Sequence, residues 1–115
     1  MEGRNHASHD PIWHGEMAAI ANLSSLLNVT SGQSVYAVAP KLELYTTAEP
    51  CAMCMSAICW CGFGKVVYGT SIPFIASKGT NQIQVRAVQV AAETPFNNVS
   101  VVGGILEHET NKLYS

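Results

Sequence analysis

From His14 to Leu27, apolar side chains at Met17, Ile20, Leu23 and Leu27 recur at three- and four-residue intervals, the repeat of one helix face. Ala18, Ala19 and Ala21 fill the positions between them with a strong helix former. The pattern predicts a helix over residues 14–27. Asn28 to Ser34 is polar with one glycine and reads as a loop, and Val35 to Val38 reads as a short extended piece before Pro40. Leu42-Glu43-Leu44-Tyr45-Thr46 alternates with period two, as a half-buried strand does. Glu49-Pro50 breaks that strand, and Pro50 stands just before a second predicted helix, Cys51 to Trp60, closed by Gly62 and Gly64. Lys65 to Tyr68 predicts a second strand that Gly69 ends. Residues 70–98 fit two readings. Ile83, Val85, Val88 and Val90 alternate as a strand would, whereas Ala87, Ala91 and Ala92 suit a short helix. Val99 to Val102 predicts a third strand, Gly103-Gly104 a turn, and Leu106 to Tyr114 a closing helix. Residues 1–13 are polar and irregular and end in the turn signal Asp10-Pro11. Strands alternating with helices point to a layered α/β fold.

Composition narrows the partners. A chain of 115 residues suits one domain, and 48% hydrophobic residues supply a core. Only 12% of residues are charged, about half the ~25% usual for soluble domains, which points to surface hidden by self-association. The net charge is −2 and the six Lys and Arg residues are scattered. Proteins that grip a nucleic-acid backbone carry a basic patch, so charge gives no support for a large polyanionic partner. The apolar stretches are far shorter than the ~20 residues of a membrane span, and the N-terminus has no apolar segment of the secretory kind. No membrane partner and a cytoplasmic location are expected. All four cysteines lie between positions 51 and 61. So tight a cluster cannot staple distant parts of a fold, and in a reducing compartment it reads as metal binding.

Two short segments carry the chemistry: His14-Gly15-Glu16 and Pro50-Cys51-Ala52-Met53-Cys54. Zinc takes nitrogen and sulfur ligands in a tetrahedron. Cys51 and Cys54, three apart at a helix start, point the same way, and a helix N-terminus favours the thiolate that zinc needs. His14 completes three ligands and leaves a fourth place for water. Zinc lowers the pKa of that water to near neutrality, and the resulting hydroxide can attack an amine-bearing ring carbon. The reaction then needs a proton carrier, and Glu16, two residues from the ligand histidine and itself not a ligand, stands where one is required. Alone, a His-x-Glu is commonly a surface pair, and a Cys-x-x-Cys is redox-active or structural as readily as catalytic. In this order and at helix starts, the two together are far more specific. Cys59 and Cys61 offer a competing, closed four-thiolate site with Cys51 and Cys54. Cys59, however, falls near the opposite face of the helix from Cys54, so both are expected to be ordinary buried thiols.

The arrangement H-x-E…P-C-x-x-C is the signature of zinc deaminases, and the resemblance extends beyond the ligands. Asn5 followed by Asp10-Pro11-Ile12-Trp13-His14-Gly15-Glu16-Met17-Ala18-Ala19-Ile20 resembles the first block of guanine deaminases and tRNA adenosine deaminases, in the cytidine deaminase-like superfamily. Leu44-Tyr45-Thr46-Thr47-Ala48-Glu49-Pro50-Cys51-Ala52-Met53-Cys54-Met55-Ser56-Ala57-Ile58 is similar to their second block. Lys65 to Gly69 looks like the following strand, and Gly104 to Glu109 like a late strand-to-helix junction. The resemblance implies a three-layer α-β-α sandwich, usually dimeric, holding Zn2+ on His14, Cys51 and Cys54, with Glu16 as proton shuttle. It further implies that Asn5 bonds the base and that the Gly15 amide touches it. Trp60 stands where guanine deaminases carry a tryptophan that packs near the base, and Phe74 is a weaker candidate for closing the pocket. Trp60 and the acidic charge favour a nucleobase or nucleoside, foremost a small purine such as guanine. Deamination of adenosine to inosine in tRNA is the alternative, and a catalytically incompetent zinc-binding remnant is the second.

Family members carry a helix and two strands before the region of Asn5. Residues 1–115 therefore read as a single, N-terminally truncated CMP/dCMP-type deaminase domain whose sheet has an exposed edge. The isolated 115 residues are expected to be poorly stable or to aggregate; a cooperative thermal melt of monomeric material, followed by circular dichroism and light scattering, would overturn that expectation.

Overall fold

A computed structural model describes residues 12, 14–32, 34–96 and 99–114. Asn5 and the Asp10-Pro11 turn lie outside them. Helix α1 (Gly15–Thr30) leads to a four-residue helix α2 (Val35–Val38) and a 3-10 turn at Ala39–Lys41. Strand β1 (Glu43–Ala48), helix α3 (Ala52–Cys61) and strand β2 (Lys65–Thr70) form a strand–helix–strand unit. Helices α4 (Ile72–Ser77) and α5 (Ala87–Glu93), strand β3 (Ser100–Val102), helix α6 (Glu107–Thr110) and a 3-10 turn at Asn111–Leu113 complete the order.

The described strands form one parallel sheet in the order β1-β2-β3. Leu44 faces Val66 across the first pair, and Val66 faces Val101 across the second. These three side chains share one sheet face and join Met55, Ile58, Cys59, Phe63 and Ala87 in the core, with Ile20 and Leu23 of α1 and Val90 and Ala91 of α5 packed around them. On the other face, a β-carbon at Gly69 would run into the side chain of Thr110 in α6. Because side chains alternate along a strand, α6 covers the face opposite to Val66. The result is a three-layer α-β-α arrangement, and β2 is buried almost throughout because both of its faces are covered. None of the described helices is long and apolar enough to cross a membrane.

Several elements differ from the sequence reading, each for a visible reason. The polar run after Leu27 begins as helix, because Thr30 Oγ1 and Ser31 Oγ donate back to the carbonyls of Leu26 and Leu27 at 2.8 and 3.2 Å. Gly32, at φ 67°, then ends the turn. Val35 to Val38 is helical rather than extended. Val35, Val38 and Ala39 follow a three-and-four spacing that turns them toward the interior, and Ala39 is fully buried. Gly69 lies inside β2 instead of ending it, since only a residue without a side chain fits beneath Thr110. Of the two readings of residues 70–98, the helical one holds: Ala87 is buried, Val90 and Ala91 pack on the core, and Val88 is exposed. Phe74 lies in α4, not in a loop, with Lys78 Nζ 5.2 Å above its ring.

What fastens these elements near the end of β1 is Glu49, one of the few polar residues in the interior, at 3% exposure. Its carboxylate accepts from the backbone N–H of Ile72 at 2.8 Å and of Ala87 at 2.7 Å, and from Arg86 Nε at 3.0 Å. Arg86 also donates to the Tyr68 hydroxyl at 3.2 Å. The hydrogen bonds to Glu49 and then to Tyr68 raise the guanidinium above its ordinary pKa. One acidic side chain thereby joins the strand end before Pro50-Cys51 to the starts of α4 and α5. Glu49→Ala leaves two buried N–H groups without an acceptor, so it is expected to cost about 2–4 kcal/mol. Arg86→Ala, at a side chain 39% exposed, is expected to cost less; urea unfolding of both variants checks the order.

Candidate metal centre

His14 and Cys51 both occupy N-cap positions, His14 on α1 and Cys51 on α3, each with extended backbone. Cys54 follows in the first turn of α3. The fold brings the two helix starts together, so that His14 Nδ1 lies 3.6 Å from both the Cys51 and the Cys54 sulfur. All three ligand atoms lie within 4.8 Å of one another. A tetrahedral zinc with the usual Zn–S and Zn–N bonds sets sulfur and nitrogen about 3.6 Å apart. The three side chains are therefore spaced as that ion requires.

Electrostatics agree with the spacing. Hydrogen bonding from the Cys54 side chain, with help from backbone N–H groups and the His14 charge, holds the Cys51 thiol down at about 5 against the effect of burial. The same bond to Cys51, burial and the Glu16 charge push Cys54 up. The two thiols are thus shifted in opposite directions by their mutual hydrogen bond, and a thiolate is favoured at Cys51. Two helix N-termini add their partial positive charges at this point.

Glu16, the second residue of α1, lies outside the triad of ligand atoms but on the wall of the same cavity. Its Oε1 accepts from Thr46 Oγ1 at 2.9 Å. The cavity, about 780 Å³, is lined by His14, Gly15, Glu16 and Cys51 and by consecutive residues 42–49 of β1 and its flanks. All six residues of β1 can line one space only if the space runs along the strand's edge, and β1 is an edge of the described sheet. Tyr114 also lines it, its hydroxyl 3.0 Å from that of Thr47.

The sequence-predicted residues therefore divide. His14, Cys51 and Cys54 meet, with Gly15 and Glu16 beside them. Asn5 lies outside the described residues. Trp60, expected near the base, does not line this cavity. It is 63% exposed and its ring packs against Phe96, with centroids 4.5 Å apart, in a separate cleft with Tyr36 and Cys61. On α3 it follows Cys59, and the face that carries Cys54, Met55 and Ile58 inward turns Trp60 outward. Phe74 is likewise absent from the cavity wall. Cys59 is buried in the core and Cys61 packs against it, with burial raising both thiols. Neither joins the described ligand group, so the competing four-thiolate site is not formed. Sequence reasoning missed Thr46 and Glu49. Thr46 shares the inward parity of Leu44, but no pattern in β1 says which residue of α1 it meets. Glu49, an acidic residue directly before Pro-Cys in a chain poor in charge, was a legible signal read merely as a strand break.

Comparison with known proteins follows the same division. The family model for the cytidine and deoxycytidylate deaminase zinc-binding region matches residues 1–70. Cytosine deaminase of Candida albicans is 36% identical over 70 residues, which are 61% of this chain and 41% of that protein. Guanine deaminase from Nitrosomonas europaea superposes with a TM-score of 0.74 at 21% identity, over 97% of this chain and 61% of that one. A structure from a study of A-to-I editing by tRNA:A34 deaminases superposes with a TM-score of 0.66 at 23% identity, over 96% of this chain and 72% of that one. The chain thus spans less than half of the curated relative's length and about three fifths of the Nitrosomonas protein's. It has the fold of these deaminases, and with its zinc-ligand motif inside the matched region it belongs to the cytidine and deoxycytidylate deaminase zinc-binding family.

Proposed function

We propose that this chain carries the catalytic half of a zinc-dependent hydrolytic deaminase acting on a free nucleobase or nucleoside. The observation that carries the reading is the convergence of His14 Nδ1 on two sulfurs at 3.6 Å, with the Glu16 carboxylate on the wall of the same open cavity. In this reading His14, Cys51 and Cys54 hold the metal. Zinc bound there supplies Lewis acidity and a water nucleophile at neutral pH. Glu16 takes the proton released as the carbon–oxygen bond forms and gives it to the nitrogen as the carbon–nitrogen bond breaks, so that one water is consumed and ammonia leaves. The Gly15 amide, at the cavity wall, and Asn5 orient the base. A homodimer fits the low charge and the exposed aromatic side chains Tyr36, Trp60 and Phe96.

The substrate is a small base. The relative at 36% identity is a cytosine deaminase, which favours cytosine. A second reading, guanine, is supported by the structural likeness to a guanine deaminase. Trp60 lies outside the described cavity and lends no contact to either base there. Incubating the zinc-loaded protein with cytosine, guanine, cytidine and an anticodon stem-loop, with ammonia and inosine as readouts, decides among them. Ammonia from a free base is expected; inosine in the stem-loop alone would replace this reading with tRNA editing.

Two substitutions test the roles. Cys54→Ala is expected to leave less than a tenth of the bound zinc after dialysis, by elemental analysis, since a two-ligand site holds the ion far more weakly. Glu16→Ala is expected to keep the zinc and lower kcat by about 100-fold or more; full turnover in that variant would end the proton-shuttle assignment.

A further inference from the structure

We infer that Thr46 is a positioning residue for Glu16, a role that rests on the deaminase reading above. Thr46 and Glu16 lie 30 residues apart in sequence, on β1 and α1, yet Thr46 Oγ1 stands 2.9 Å from Glu16 Oε1. The same hydroxyl stands 2.9 Å from the carbonyl oxygen of Ala48. Its single proton serves one of these acceptors at a time.

A carboxylate on the second residue of a helix, half-buried at an open cavity wall, has three rotatable bonds to lose. A hydrogen bond to an ionised acceptor is roughly twice as strong as one between neutral groups, so Thr46 directs its proton to Glu16 and fixes the carboxylate through Oε1. The carboxylate is thereby held in one place on the cavity wall, and the Ala48 carbonyl is the second acceptor within reach of the same hydroxyl. Serine can make both bonds; valine, of nearly the same shape, can make neither.

Thr46→Val, Thr46→Ser and wild type are compared for zinc content, kcat and KM on the base that wild type turns over, and by crystallography of the zinc-loaded proteins. Thr46→Val is expected to retain its zinc and a KM within about twofold, and to lose up to about 100-fold in kcat, the scale of a misplaced catalytic group. Thr46→Ser is expected to recover most of that loss, and Glu16 is expected to leave its place in the valine protein only. The assignment is overturned if kcat of Thr46→Val stays within about threefold of wild type, or if Thr46→Ser fails to recover activity. It is overturned equally if Thr46→Val no longer folds or binds zinc while Thr46→Ser does, because Thr46 then supports the fold and not Glu16. Should wild type turn over no base, the deaminase reading fails and the crystallographic comparison alone decides Thr46: an unmoved Glu16 in the valine protein ends the inference.

Discussion

The carboxylate of Glu49 is the fixed point from which the site is built. A negative charge inside a protein is tolerated only where donors surround it. Here two backbone N–H groups and a guanidinium do so. The donors come from two pieces of chain: the start of α4 at Ile72, and the Arg86-Ala87 junction where α5 begins. Displacing either piece would leave Glu49 buried and underbonded, so the β1 end and the starts of α4 and α5 are held to one another. Since Pro50 and Cys51 follow directly, this anchoring reaches the N-cap of α3 and thus one of the sulfurs.

From that point the chemistry follows from geometry. Two helices begin at the same spot, and residues at a helix start meet unbonded N–H groups and a partial positive charge. There the hydrogen bond between the two thiols holds Cys51 below the ordinary thiol range and pushes Cys54 above it, with burial adding to the rise at Cys54. His14 is delivered from the other helix to the distance that a tetrahedral cation sets. Glu16 sits one residue past Gly15 on the same helix, where its charge and a side-chain hydrogen bond act on Cys54 while its Oε1 accepts from Thr46. Strand β1, at an edge of the described sheet, runs along this corner and gives the cavity its length.

Elements with a strong period were readable. Helix α1 repeats apolar residues at helical spacing and β1 alternates, while α3 is bounded by Pro50 before it and by Gly62, left-handed at φ 86°, after it. Elements whose identity depends on a neighbour were not. Val35 to Val38 has β-branched residues that suit a strand, but burial of Ala39 draws the segment into a helix. Gly69 looks like a stop until Thr110, more than forty residues later, is seen to lie over it. Thr30 and Ser31 resemble loop residues because only the folded chain shows their hydroxyls turned back onto helical carbonyls. Trp60 takes its expected role from the family motif alone, and only the fold shows its ring turned outward against Phe96.

The sequence by itself determined the family, the identity of the three donors, the acid beside them and the helix starts that carry them, because each of these is a short-range property of residue type and spacing. The tertiary structure alone decided which distant groups meet: Thr46 with Glu16, Glu49 with two later helices, Trp60 with Phe96 away from the cavity. Such pairings depend on the register of strands and the angle at which helices cross a sheet. Those are set by the packing of the whole core, and no local pattern of residues encodes them.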